Sequence, residues 1–287
     1  MPELKYFNPI TFENITYSVD MLKLNLNFHY GLNQDFCSWF SRQLNLDYKH
    51  YTTVALYRYR DFFSVTLRNG ESFTFSIGFN DLARVDYQKG MIRFNPNKCC
   101  NDADFCYFLN YLNYSCKEIL INQWDMAIDL PYSRKMVKLH KDNRTYTRIE
   151  HGSLSEYLGT GSNNGRVKLY DKTKESKLKY ELTRLELTID GQPYFDDVKK
   201  LLPKIDIFVS QLDIDSVLEL SQNDLVFLRL LLSSPDFDLY YNQLTYRARQ
   251  KFAPYIFNRS NSFEFSRKAY YHLLEVLSGF MKVRHLK

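Results

Sequence analysis

Between residues 20 and 28 the apolar side chains fall on every second position. Leu22, Leu24, Leu26 and Phe28 alternate with Met21, Lys23, Asn25 and Asn27. A period of two is a strand with one buried face. The same alternation recurs in three later segments, each with charge on its second face. Over 124–130, Trp124, Met126, Ile128 and Leu130 oppose Asp125, Ala127 and Asp129. Over 166–171, Val167 and Leu169 oppose Arg166, Lys168 and Tyr170. Over 184–190, Leu185, Leu187 and Ile189 oppose Arg184, Glu186, Thr188 and Asp190. If these strands are neighbours, one sheet face is core and the other gathers carboxylates, cations and a tyrosine.

An antiparallel, sheet-centred α+β fold follows, with helical segments set among and after such strands. Phe36, Trp39, Phe40 and Leu44 predict a helix over 33–46. Phe105, Phe108, Leu109 and Leu112 predict another over 102–116, capped by Asn101 or Asp102. Arg68-Asn69-Gly70-Glu71 reads as a hairpin turn, and Gln88-Lys89-Gly90 as a second one joining strands at 83–87 and 91–94. Further strands are expected at 121–130, 145–150 and 180–190, and Gln192-Pro193 opens a helix to about 202. Val19-Asp20-Met21-Leu22 echoes Trp124-Asp125-Met126-Ala127, so a duplicated strand-helix-strand unit is expected. Beyond residue 204 the periodicity turns helical, at 216–232, at 242–252 with a stop near Pro254, and at 263–280. Two units are expected: 1–203 built on the sheet, and a helical module over 204–287.

Composition narrows the partner. The net charge of +5 conceals segregation: residues 134–179 carry twelve Lys/Arg against five Asp/Glu. Residues 206–238 hold seven acids and one base, and 239–287 hold nine bases against two acids. Two basic blocks around an acidic one suit a polyanion. The 23 Tyr and 22 Phe fill a core and leave rings that can stack on bases. Five cysteines without CxxC spacing fit neither a zinc site nor a disulfide framework, so a reducing cytoplasm is expected. The N-terminus shows no signal-peptide pattern, and no stretch reads as a membrane span.

The chemistry expected of the charged strand faces is phosphoryl transfer. Asp125, Asp129 and Glu186, with no clustered histidine, suit a hard cation such as Mg²⁺ or Mn²⁺. Tyr170 beside them could attack phosphorus, with Lys168 and Lys172 stabilising its phenolate. The six histidines are scattered, and Gly-Thr-Gly-Ser-Asn-Asn-Gly at 159–165 lies between two strands as a hairpin loop rather than a nucleotide site.

The segments Met-Ile-Arg-Phe-Asn-Pro-Asn-Lys (91–98), Trp-Asp-Met-Ala-Ile-Asp (124–129), Glu-Tyr-Leu-Gly (156–159), Val-Lys-Leu-Tyr-Asp-Lys (167–172) and Arg-Leu-Glu-Leu (184–187) stand in an order that resembles the Rep_trans family. These are rolling-circle plasmid replication initiators of Gram-positive bacteria and relaxases of some conjugative elements. The resemblance implies that Tyr170 joins to a 5′ phosphate at a nicked double-strand origin, leaving a 3′-OH primer. The strand is rejoined at termination. It also implies a Mg²⁺ or Mn²⁺ ion on Asp125 or Asp129 and Glu186, a homodimer, single-stranded DNA at the nick site and a host replicative helicase as partner. Arg166, Lys168, Lys172 and Arg184 are the candidate phosphate contacts. Arg247, Arg249, Gln250 and Lys251 correspond to the family's origin-recognition segment. The chain departs from the family in carrying Lys168 where arginine is common. A relaxase starting transfer of a mobile element, or a DNA-binding protein without catalysis, are the alternative readings.

Overall fold

The computed structural model describes residues 9–31, 46–52, 58–81, 84–139, 143–160, 165–191, 207–209, 219–234, 236–257, 262–263 and 266–282. The helices expected at 33–46 and 192–202 lie outside the described residues. The strands are β1 (Ile10–Phe12), β2 (Ile15–Phe28), β3 (Asp47–Thr52), β4 (Tyr59–Thr66), β5 (Ser72–Asp81), β6 (Arg84–Phe94), β7 (Cys116–Leu130), β8 (Val137–Leu139), β9 (Tyr146–His151), β10 (Ser153–Leu158), β11 (Arg166–Asp171), β12 (Thr183–Asp190), β13 (Ile207–Val209) and β14 (Ser262–Phe263). The helices are α1 (Pro96–Cys99), α2 (Ala103–Ser115), α3 (Lys172–Glu175), α4 (Gln222–Ser233), α5 (Phe237–Gln243), α6 (Tyr246–Ile256) and α7 (Arg267–Ser278).

One antiparallel sheet runs in the order β3-β4-β5-β6-β2-β7-β12-β11-β10-β9, with β1 paired to one end of β2. The order contains a repeat. β2 is a long strand followed by the meander β3 to β6, whose last strand returns beside it. β7 is a long strand followed by β9 to β12, whose last strand does the same. The two long strands pair antiparallel at the centre. The repeated unit is thus a long strand plus a four-stranded meander, larger than the expected strand-helix-strand unit.

The alternation of the sequence becomes the two faces of this sheet. On the back, Trp124, Met126, Ile128, Leu185, Leu187, Val167 and Leu169 are all at most 1% exposed. Helices cover that face: Phe105 and Phe108 of α2 pack on Phe73 and Phe75, and Tyr270 of α7 stacks 6.1 Å from Trp124. Asp102 caps α2 by accepting from the backbone N–H of Asp104 and Phe105, which fixes where that helix starts.

Two expectations need correction. β6 is one unbroken strand through Gln88-Lys89-Gly90, so that tripeptide is no turn. A Cβ at Gly90 would lie 2.9 Å from the Phe28 ring and 3.0 Å from the Ser76 carbonyl; this glycine permits close packing across the sheet. Gly70, by contrast, sits at φ +82° in the β4–β5 turn, as Asn-Gly foretells. The segment beyond 204 is also not one helical module. α4, α5 and α6 enclose their own small core of Leu228, Leu231, Phe237, Phe252 and Ile256. α7, however, buries Ala269, Tyr270, Leu273 and Leu277 in the large sheet's core. β13 joins β8 and β14 in a second, three-stranded sheet, where strand signals had been weak. α6 continues through Pro254 to Ile256 rather than stopping there.

Candidate active site

Cross-strand register places the charged front-face residues in rows. Lys168, Glu186 and Ala127 lie opposite one another, as do Tyr170, Arg184 and Asp129, and Arg166, Thr188 and Asp125. The expected single face therefore forms, and it lines a cavity of about 370 Å³ that holds Tyr170, Glu186, Lys168 and Asp125.

Tyr170 donates its phenolic hydrogen to Glu186 Oε1 at 2.6 Å. Glu186 Oε2 lies 3.4 Å from Lys168 Nζ, which in turn sits 3.9 Å above the Tyr170 ring. Burial, and after it the negative charge of Glu186, pushes the Tyr170 phenol above its ordinary range. At rest the phenol is protonated and donates to Glu186.

The two aspartates differ. Asp129 receives a bidentate pair from Arg184, at 2.6 and 2.7 Å. Each of its oxygens therefore already accepts one hydrogen bond, and Arg184 is engaged with it in an ion pair. Asp125 is partly buried, with Oδ1 lacking any hydrogen-bond partner among the described residues. Its carboxyl is pushed up to about 6, first by burial, with Thr188 lowering it and Glu186 raising it.

Asp20, Asn95 and Arg93 line the same cavity and were not singled out as site residues from the sequence. A register shift between Val19 and Met21 leaves Asp20 in a bulge of β2, outside simple alternation. The Phe-Asn-Pro-Asn turn holds that bulge. Asn95 donates to Asp20 Oδ1 at 3.1 Å, and Asn97 donates to the Val19 carbonyl at 2.7 Å. Arg184 also reaches Asp20 Oδ1 at 3.1 Å. Asp20 occupies in the first repeat the place that Asp125 has in the second, as the Val-Asp-Met and Trp-Asp-Met echo hints.

Among the described residues no three His, Cys, Asp or Glu side chains converge as a ready-made metal cage. The donor chemistry nevertheless fits a hard divalent cation. Asp125 Oδ1 and Asn95 Oδ1 are buried oxygens without partners among the described residues, and Glu186 lines the same cavity. Mg²⁺ is commonly held by one or two carboxylates plus phosphate oxygens and water.

The remaining expected residues are distributed elsewhere. Lys172 pairs with Glu175, and Arg166 stands 5.1 Å over the Tyr157 ring. On α6, Arg247 is exposed, Gln250 donates to Tyr246 Oη at 2.7 Å, and Lys251 pairs with Asp224 of α4 at 2.6 Å. Arg249 turns partly inward, its buried Nε without a partner among the described residues. No helix among the described residues is long and apolar enough to cross a membrane. A larger cavity of about 710 Å³ lies between the β8–β10 region and α5. Two of its cations, Arg134 and Arg148, pair with Glu156 and Glu150.

No protein-family model and no curated protein matches the sequence. Among solved structures the chain is similar to one described as a rolling circle replication initiator protein from Geobacillus stearothermophilus. The two share 12% identity with a TM-score of 0.40, over 65% of this chain and 78% of that one. A likeness at that level assigns neither family nor activity to this chain.

Proposed function

We propose that this chain is a rolling-circle replication initiator that nicks one DNA strand by attack of Tyr170 on a backbone phosphate. The observation that carries the reading is the Tyr170–Glu186 hydrogen bond inside a cavity lined by carboxylates and cations. A tyrosine there has a proton acceptor at 2.6 Å and a place for a phosphate. The ordered motifs named above support the same reading.

In the proposed reaction Glu186 Oε1 accepts the phenolic proton as Tyr170 Oη forms a bond to phosphorus. The P–O3′ bond breaks, and the departing oxygen takes that proton from Glu186 to become the 3′-OH primer, which restores the carboxylate. The strand remains joined through its 5′ phosphate to Tyr170, and reversal of the steps reseals it. Lys168, stacked on the ring and adjacent to Glu186, favours the phenolate as it forms. Arg184 holds Asp129 and Asp20 and so fixes β12, and with it Glu186, against β7 and β2. Asp125 and Glu186, with Asn95, would hold a Mg²⁺ or Mn²⁺ ion, which supplies charge neutralisation at the phosphate oxygens. Arg247 and Arg249 on α6 serve recognition of double-strand origin DNA, and the active form is a homodimer that loads a host replicative helicase.

The test is incubation with negatively supercoiled DNA carrying the sequence around the chain's own gene, with Mg²⁺ or Mn²⁺. Open-circular product and a protein–DNA adduct that survives denaturant are expected, and Tyr170→Phe should form neither. Tight sequence-specific binding without any adduct would instead identify a DNA-binding protein without catalysis.

A further inference from the structure

We infer that Arg93 grips the scissile phosphate and that Lys23, its cross-strand neighbour, holds the adjoining phosphate of the same strand. This rests on the nicking reading for the identity of the phosphate, but not for the binding of DNA.

The cations expected to do this work are already engaged. Arg184 is committed to Asp129 and Asp20, Lys172 to Glu175 and Lys168 to Glu186, while Arg166 lies over Tyr157. A phosphate entering the cavity would have to break one of those ion pairs to recruit the first three. Arg93 lines the same cavity as Tyr170, is exposed, and forms no ion pair or side-chain hydrogen bond with another described residue. Its guanidinium, whose charge also reaches Asp125, can therefore take two phosphate oxygens without breaking an ion pair or hydrogen bond.

The sheet then extends the track. Arg93 of β6 lies directly opposite Lys23 of β2 and Thr74 of β5. Thr74 is opposite Ser64, and Ser64 opposite Lys49 on β3. These side chains share the front face, with hydroxyls between the cations. Burial, followed by the charges of Arg58 and Arg93, holds the Lys23 ammonium below its ordinary value against a smaller opposing pull from Asp190. An incoming polyanion relieves that repulsion. The arrangement gives the two repeats different duties: the second carries Tyr170 and Glu186, and the first presents Arg93 and Lys23 to the strand.

Two measurements test this. Salt-dependent binding of a short, mixed-sequence, fluorescently labelled single strand is compared between Tyr170→Phe and the double variant Tyr170→Phe/Arg93→Ala. The double variant should bind more weakly, with a salt slope smaller by about 0.7 for the one lost contact. Nicking of supercoiled DNA by Arg93→Ala should fall by roughly 10²–10³-fold, as for removal of one group that stabilises transition-state charge. Arg93→Lys should recover part of both losses and serves as the folded control. An unchanged slope overturns the phosphate contact. A reduced slope with an unchanged nicking rate overturns the scissile assignment. If wild-type protein forms no adduct, the nicking reading fails by itself, and the slope alone decides whether Arg93 binds the strand.

Discussion

Asp125→Asn should stabilise the protein while impairing it. The Asp125 carboxyl is driven from 3.8 to about 6 by burial, and its Oδ1 has no hydrogen-bond partner among the described residues. A carboxyl with a raised folded pKa binds more protons folded than unfolded between those two values. Its favourable contribution is complete below about pH 4 and is lost as pH rises through 6. A shift of about 2 units corresponds to roughly 3 kcal/mol. About half of that cost is present at pH 5 and nearly all of it at pH 7.5. Asparagine keeps the shape but never ionises. Urea denaturation of Asp125→Asn should therefore show a gain of about 1.5 kcal/mol over wild type at pH 5 and about 3 kcal/mol at pH 7.5. In thermal scans at neutral pH that is roughly 6–12 °C. Mn²⁺ should raise the wild-type melting temperature and leave the variant's nearly unmoved. A gain that does not change with pH, or a loss of stability at pH 7.5, would refute the idea that a buried, uncompensated charge is held there.

Other perturbations follow from the same contacts. Glu186→Gln should lower the nicking rate by about 10²-fold or more, because it weakens both the proton acceptor and the proposed cation site; single-turnover rates across a Mn²⁺ titration measure it. Arg184→Ala strands Asp129, whose side chain is 15% exposed, and should cost about 3 kcal/mol in urea denaturation. Gly90→Ala places a methyl against Phe28 and the Ser76 carbonyl and should destabilise by about 1–3 kcal/mol, read from the same melts. Arg247→Ala with Arg249→Ala should weaken binding to duplex origin DNA and reduce its salt slope by about 0.9 per lost contact. An equal loss on unrelated duplex would show that these arginines position the protein without reading bases.

The strand faces were legible because side-chain period is a local property. The apolar backs of 124–130, 166–171 and 184–190 are buried, and their fronts share one surface. Register is not local, and what it decides escaped the sequence. Asp129 and Arg184 share a face by alternation, but only the pairing of β12 with β7 makes them a bidentate couple. Asp20 was hidden because a bulge breaks the period on which the reading relied. Arg93 stood inside a noted motif, yet nothing in its own strand tells which strand lies beside it. Gly90 misled for a further reason. A glycine that opens a turn and one that admits a neighbouring ring look alike in a sequence, and only the packing of Phe28 separates them. α7 reads as one more amphipathic helix, and its seat on Trp124 depends on a partner some 150 residues away.

In the proposed reaction Tyr170 becomes covalently joined to DNA, and this can be read directly. Protein incubated with supercoiled DNA and Mn²⁺ is denatured, treated with nuclease and protease, and its peptides are weighed by mass spectrometry. The peptide containing Tyr170 should gain a nucleotide attached through a 5′ phosphate, and Tyr170→Phe should yield no adduct. No adduct in the wild type, or one on Tyr157 or Tyr180, would contradict it.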